Sequence, residues 1–297
     1  MITIRPGLQP AMTGAAYHAS PGISKSKLDD FAEASPLHYW DKHINPDKPE
    51  DERTEALILG DAIHAAVGEP DTVSSRFVVV PADAPKRPTK AQIKAKNPSL
   101  ESRGSISYWE GFLAEHEGKI ILKPSQMDIV MACRDSAWSD PAVADLLSGA
   151  RFEQTYYAID PDTGALRKCR LDGDRVEESG VILDLKTAED ASEDAFYGHS
   201  LKYRYNVQDP WYTDTVDLAL GGKAVRQFAF IVIEKARPFA TAIYYLGAEE
   251  IAAGREKARA DLRGIVHYTQ TYGDQRWPSY TENGARRLRS RRERAQS

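Results

Sequence analysis

The stretch VILDLKTAED, Val181 to Asp190, carries an acid and a lysine two residues apart inside an otherwise apolar run. Side chains along a β-strand alternate between faces, so Val181, Leu183 and Leu185 point one way while Ile182, Asp184 and Lys186 point the other. About ten residues upstream, CRLDGDRV ends in an acid after Gly173, and an antiparallel neighbour brings Asp174 close to Asp184. Two carboxylates on adjacent strands are costly to bury unless a cation lies between them, and hard oxygen ligands select Mg²⁺ or Mn²⁺. A lysine beside that pair suits phosphodiester hydrolysis. The metal polarises the phosphate and lowers the pKa of a water; the ammonium orients or deprotonates the nucleophile and offsets charge on the pentavalent phosphorus.

Other residues can join this set. Glu153 lies on the preceding strand, FEQTYYAI, able to face the same site. His64 in GDAIH follows Gly60 by one helical turn, and the small residue allows close approach to a neighbour. Gln208 and Tyr212 are four apart and share a helical face. Each has an ordinary alternative: D-x-K on a solvated edge strand, Glu153 in a surface ion pair, His64 as a core histidine bonded to backbone. Asp172 rivals Asp174, because alternation puts both on one face. Pro210 would kink a helix interior, so the helix carrying Gln208 is expected to start near Val207, with Pro210 in its first turn. Of the aromatic residues Tyr197, Tyr203, Tyr205, Trp211 and Tyr212, most are expected in core packing, with one ring free to stack on a frayed DNA end.

These residues need elements to hold them. Leu57 to Gly68 reads as a helix, as do Pro124 to Trp138 and a shorter stretch after Ser139-Asp140-Pro141. In PGISKSKLDDF, Ser24 is a candidate N-cap. FEQTYYAI, the turn Asp160 to Gly164 and ALRKCRLDGDRV make a hairpin by turn chemistry, with VILDLKT as the third strand. A helical region from about Glu193 to Leu220 separates these from FAFIVIEK and ATAIYYLG, and a helix from Ala248 to about Tyr268 closes the fold. The order implies an α/β fold with a central mixed sheet flanked by helices and a helical N-terminal portion. One domain is expected over 1–280, with a helical front at about 17–150, a sheet core at about 151–270, and a flexible basic tail at 281–297.

Composition narrows the classes. The 297 residues are 41% hydrophobic and 28% charged, enough for an ordinary core. No apolar run approaches the roughly 18 to 20 residues needed to cross a bilayer, and the start lacks the plan of a secretion signal, so a cytoplasmic protein without a membrane partner is expected. Cys133 and Cys169 are too few for a four-thiolate cluster and are expected as buried thiols. A net charge of −5 argues against simple coating of nucleic acid, yet positive charge is segregated into an arginine-rich tail after Gly284 and into Lys86, Arg87, Lys90, Lys94, Lys96 and Arg103. Residues 81–105 read as a loop or weakly ordered arm, and Lys86, Arg87, Lys90 and Lys94 are candidates for DNA phosphate contact.

The ordered set Gly60/His64, Glu153, Gly173-Asp174, Asp184/Lys186 and Gln208/Tyr212 resembles the RecB-type branch of the PD-(D/E)xK nucleases. CRLDGDRV, LDLKTAED and YRYNVQDPWYTD, together with GISKSKLDDF and SPLHYW, are most similar to the nuclease domain of RecE, exodeoxyribonuclease VIII, and its phage-encoded relatives, over about Tyr17 to Trp277. The resemblance implies that Asp174, Asp184 and the Leu185 carbonyl bind Mg²⁺, with Mn²⁺ able to substitute, and that Glu153 and His64 complete or support the metal sites. It implies that Lys186 acts on the attacking water and that Gln208 and Tyr212 position DNA or brace the site. The family register prefers Asp174 over Asp172. The implied activity is 5′-to-3′ digestion of linear duplex DNA ends in the bacterial host cytoplasm, by a ring-like homo-oligomer such as a tetramer, acting with a RecT-type single-strand annealing protein in recombination. A nuclease of the same fold with another substrate, such as the helicase-associated or CRISPR adaptation enzymes, and a non-catalytic DNA-end scaffold are the competing readings. Many of those enzymes hold an iron–sulfur cluster on four cysteines, which this chain lacks.

Overall fold

The computed structural model describes residues 4–9, 12–49 and 53–281. The arginines expected to form a basic tail lie outside the described residues. Among the described residues the strands are β1 (Gly7–Leu8), β2 (Phe77–Val79), β3 (Ile120–Leu122), β4 (Arg151–Ile159), β5 (Leu166–Arg175), β6 (Val181–Ala188), β7 (Gln227–Glu234) and β8 (Thr241–Tyr244). The helices are α1 (Gly14–Ala19), α2 (Lys25–Glu33), α3 (Pro36–His43), α4 (Glu55–Gly68), α5 (Val73–Arg76), α6 (Lys90–Lys94), α7 (Leu100–Glu115), α8 (Pro124–Ser139), α9 (Pro141–Leu147), α10 (Val176–Ser179), α11 (Glu193–Lys202), α12 (Tyr205–Leu220) and α13 (Ala248–Tyr272).

Six strands form one mixed sheet in the order β1-β4-β5-β6-β7-β8. Within it only β6 and β7 run parallel, and α11 with α12 supplies the crossover that parallel neighbours require. The β4–β5 turn is fixed by Asp160, whose Oδ1 accepts from the Asp162 and Thr163 amides and the Thr163 hydroxyl, while Gly164 takes φ +71°. β6 is covered on both faces, which explains its near-continuous apolar reading. Leu183 and Leu185, with Ala229 and Ile231 of β7, pack against Ile63 and Val67 of α4 and Val130 of α8. Ile182, with Phe228 and Phe230, packs against Phe196 of α11 and Val216 of α12. Behind α12, Val207 and Trp211 meet Leu28 of α2 and Leu262 and Ile265 of α13.

Several local expectations are corrected. β1, β2 and β3 were not expected; they are two or three residues long, too short for a period-two pattern to emerge. Residues 81–105 are not a loose arm: Thr89 and Gln92 form a reciprocal capping box on α6, and α7 begins at Leu100 behind the Ser99 cap. Ser24 stands at the N-cap of α2, but its hydroxyl bonds Ser26 Oγ at 2.9 Å instead of a backbone amide. Cys133 and Cys169 are buried free thiols.

The largest correction concerns Pro210. α12 starts at Tyr205, with Arg204 as a left-handed N-cap at φ +54°, so Pro210 lies inside the helix and not in its first turn. Its missing N–H leaves the Asn206 carbonyl without the usual partner four residues on. That carbonyl lies directly against Gly254 of α13, where a Cβ would collide with it. The two helices therefore approach to backbone contact at the point where α12 carries Gln208.

Candidate active site

The ladder between β5 and β6 pairs only Gly173 with Leu183, Asp174 with Ile182 and Arg175 with Val181. Continued by one step, that register sets Asp172 across from Asp184. The strands part there instead, and the Asp172 side chain fills the fork: its Oδ2 accepts the Leu185 amide at 2.8 Å. A residue's N–H and C=O lie along the same strand edge, so the Leu185 carbonyl opens toward this fork as well. On the other side, the β4–β5 ladder passes from Phe152 opposite Gly173 to Gln154 opposite Leu171, skipping Glu153 and Asp172. Glu153 is left-handed at φ +59°, a strain of about 1 to 3 kcal/mol for a non-glycine residue, of the kind that gathers at functional sites. The interruption frees both acids from the sheet, and the Glu153 carboxylate meets Arg170 Nε in an ion pair at 2.6 Å whose angle falls short of a hydrogen bond.

Asp184 and Lys186 share a face of β6 as alternation requires, with Nζ to Asp184 Oδ2 at 2.5 Å. That is an ionic contact without hydrogen-bond alignment, which leaves Oδ2 a buried acceptor with no hydrogen-bond partner. The Gln208 side-chain amide donates to Asp184 Oδ1 from α12. The Tyr205 ring lies one turn earlier on the same helix, 4.6 Å from Lys186 Nζ. Burial works against the Lys186 ammonium, but Asp184, Tyr205 and Asp172 together outweigh it and hold its pKa above that of an ordinary lysine. His64 reaches in from α4, Nδ1 to Asp172 Oδ2 at 3.6 Å; burial, then Lys186, lower its pKa and favour neutral imidazole. Gly60 is not what brings it there, since a Cβ at 60 meets open space. The close approach is at the far end of α4, where a Cβ at Gly68 would run into the Phe152 ring beside Glu153.

Asp174 is not part of this group, which corrects the preference for it over Asp172. One residue pair further into the ladder, it is fully buried and satisfied: Oδ2 accepts from Arg151 Nη2 at 2.9 Å and the Tyr156 hydroxyl at 2.8 Å, and Oδ1 accepts the Val176 amide at 2.9 Å. It fastens the β5–α10 corner. Tyr212 shares the α12 stripe, but its ring packs edge-on to Phe228 at 5.9 Å and contributes to the two apolar clusters that flank α12. Lys86, Arg87, Lys90 and Lys94 are exposed, and their segment is anchored to α7: Ser105 Oγ donates to the Lys86 carbonyl, and the Arg87 guanidinium lies 5.5 Å over the Trp109 ring.

Residues the motif reading passed over complete the site. Arg170 balances Glu153, Tyr205 lies beside Lys186, and Lys25 of α2 places its Nζ 5.8 Å from the centroid of the same Tyr205 ring. Tyr205, Gln208 and Tyr212 follow helical i, i+3, i+7 spacing, a stripe visible once α12 is known to begin at 205.

The donor set fits a hard divalent cation held mainly by two carboxylates. Lys186 pairs with Asp184 and Arg170 with Glu153; burial and then Asp184 push the Asp172 carboxyl well above the usual range, although Lys186, the Leu185 amide and Arg170 oppose them. A cation between Asp172 and Asp184 would relieve the repulsion between the two acids. Among the described residues no three His, Cys, Asp or Glu side chains gather closely enough to hold a metal ion.

A mixed sheet forked at two acids, with a lysine two residues past the second, is the layout of a PDDEXK-like core. The chain belongs to the family described as a PDDEXK-like domain of unknown function (DUF3799), whose model matches residues 24–286. Its fold is similar to the crystal structure of a "Putative exonuclease" from Eubacterium rectale, at 14% identity and a TM-score of 0.57 over 97% of this chain and 98% of that one. A phage related exonuclease from Haemophilus somnus 129PT is more distant, at 12% identity and a TM-score of 0.32 over 63% of this chain and 91% of that one. No curated protein matches this chain. No helix among the described residues is long and apolar enough to cross a membrane.

Proposed function

We propose that this protein is a Mg²⁺-dependent exodeoxyribonuclease of RecE type that degrades linear duplex DNA from its 5′ ends to expose 3′ single strands for recombination. The observation that carries the reading is the convergence of Asp172, Asp184 and Lys186 at the β5–β6 fork. Asp172, Asp184 and the Leu185 carbonyl would hold the ion. Bound there, Mg²⁺ or Mn²⁺ supplies Lewis-acid polarisation of the phosphoryl oxygen and a lowered pKa for the attacking water.

The chain's own groups do the rest. Lys186, held as an ammonium, orients the water and offsets charge developing on the phosphoryl oxygens, in a site dry enough to strengthen both effects. Gln208 fixes the Asp184 carboxylate by bonding Oδ1, while Oδ2 lies against the Lys186 ammonium. Neutral His64 stands near Asp172 as a second neighbour of that acid, and Glu153, held by Arg170, adds negative charge at the rim. The exposed lysines and arginine of the α6 region supply phosphate contacts, and a ring of copies would let an acidic protein line one channel with positive charge. A RecT-type annealing protein is the partner this activity calls for, and the bacterial host cytoplasm the place.

The test is a duplex labelled at one 5′ or one 3′ end, incubated with Mg²⁺ beside covalently closed circles, with Asp184→Ala as control. Early release of the 5′ label as mononucleotide, with circles spared and the variant inert, supports the reading. Cut circles would instead make it an endonuclease, and tight end binding without cleavage a scaffold.

A further inference from the structure

Resting on the nuclease reading, we propose that Tyr203 is a stacking platform for an unpaired nucleobase of the DNA strand being cut. Tyr203 lies in the connection between α11 and α12, and the residue is 47% exposed. Exposed aromatic rings on connections are usually loose, but this one is fixed. Its amide donates to the His199 carbonyl at 2.9 Å, and its own carbonyl accepts from Lys25 Nζ at 2.7 Å. Lys25 is in turn set by Asp29 at 2.7 Å, and Arg204, next in sequence to Tyr203, bonds Asp29 and Asp261. Three helices thus hold one residue in place while its ring faces solvent.

The ring is also the outer end of a column. Phe230 of the sheet stacks on Tyr205 with centroids 5.6 Å apart and planes 24° from parallel, and Tyr205 stacks on Tyr203 at 6.0 Å and 25°. A further flat ring would continue that column, and every nucleobase presents one. The surroundings suit a nucleotide and not an apolar peptide: Lys202 Nζ lies 5.1 Å over Tyr203, and Lys186 and Lys25 flank Tyr205. Two short steps, 6.0 Å between the tyrosine rings and 4.6 Å on to Lys186 Nζ, separate the platform from the reacting centre. That is at most about three base steps of 3.4 Å, so a base resting on Tyr203 belongs to a nucleotide within about three of the phosphate at Lys186. A duplex end must open for a base to reach this position, and the platform would favour opened ends by binding them.

The experiment compares Tyr203→Ala and Tyr203→Phe in an Asp184→Asn background, which keeps the DNA intact. The probe is a fluorescent duplex with one frayed end, carrying either normal bases or abasic residues in the terminal nucleotides, in the presence of Mg²⁺. Tyr203→Ala is expected to weaken binding to the base-containing end by about 5- to 150-fold, the range that base–aromatic stacking spans, while leaving the abasic end unchanged, and Tyr203→Phe to bind like the parent. Equal binding of base and abasic ends by the parent, or no loss with Tyr203→Ala, would overturn the platform. So would a change in assembly size with base preference intact, which would make the ring part of an interface between copies. Cleavage by the otherwise unaltered protein is followed in parallel: cutting without a Tyr203 effect refutes the platform alone, whereas base-selective binding without any cutting by that protein refutes the nuclease reading and leaves the platform standing.

Discussion

Asp172 and Asp174 are two residues apart on one strand, and replacing each by asparagine should give opposite results. Asp172 accepts one backbone amide and faces Asp184, whose repulsion and the burial of the site outweigh the pull of Lys186 and Arg170. Asp172→Asn removes a repulsive charge, so at neutral pH the melting temperature should hold or rise. Cleavage should fall by about two orders of magnitude or more, the scale on which losing one preorganised electrostatic group lowers kcat. Asp174 has a fully buried side chain and accepts three hydrogen bonds, one from Arg151. Bonds to a charged group contribute roughly 1.5 to 3 kcal/mol each, and an amide at 174 keeps some of them, so a loss of about 2 to 4 kcal/mol is expected. For a chain of this size that is a drop on the order of 5 to 10 °C. Below its lowered transition, Asp174→Asn should still cut DNA within a few-fold of the parent. Thermal unfolding followed by fluorescence, paired with cleavage at 20 °C or below, separates the two. If Asp174→Asn were inactive at full stability while Asp172→Asn cut normally, the assignment from the fork would be wrong.

Three further substitutions probe the site and its support. Lys186→Ala should lower cleavage by about 10²- to 10³-fold while DNA-end binding in a gel-shift assay persists, because the ammonium acts on charge that develops in the reaction. Gly254→Ala should destabilise the protein by about 2 kcal/mol or more, read in urea unfolding, since its Cβ would collide with the Asn206 carbonyl and push α13 off α12; a neutral result would refute the close approach. Burial pushes Asp209 of α12 up to about 7 although the Thr213 hydroxyl and Arg255 oppose it. An acid with a raised folded pKa favours folding at low pH, so stability should fall as pH rises from about 4 to about 7, by roughly 4 kcal/mol at most. Asp209→Asn should flatten that slope in urea unfolding at a series of pH values, and an unchanged slope would rule Asp209 out as its source.

The sheet was legible wherever strands were long. β4 to β8 and the turn at Asp160 follow from alternation, apolar runs and turn chemistry, because four or more residues of pattern suffice to set a face. β1 to β3 have too few residues for any pattern and exist because long-range partners complete them. The helical front follows from apolar spacing at α4 and from Pro-led starts at α8 and α9, whereas α6 and α7 open within the charged stretch 81–105 and begin at the Thr89 and Ser99 caps.

The site shows a sharper division. Asp184 and Lys186 could be placed from two residues of spacing, since β6 is regular throughout. The choice between Asp172 and Asp174 could not, because both obey the same alternation and the deciding event is an interruption of it. Nothing in CRLDGDRV announces that the strands separate after Gly173, and nothing in FEQTYYAI announces a left-handed glutamate. On the proposed function those features and the activity share one cause: a pair of acids that holds a cation would not fit in an ordinary ladder, where backbone groups would fill the gap between strands. Of the residues that break the local rules, Glu153, Asp172, Arg204 and Pro210 lie at the fork or on the segment that aims Tyr205 and Gln208 into it, while Phe239, left-handed at φ +62°, lies apart in the β7–β8 connection. A sequence optimised only for a continuous sheet and a straight helix would close the gap that the chemistry requires, so local regularity is expected to fail where the reaction takes place.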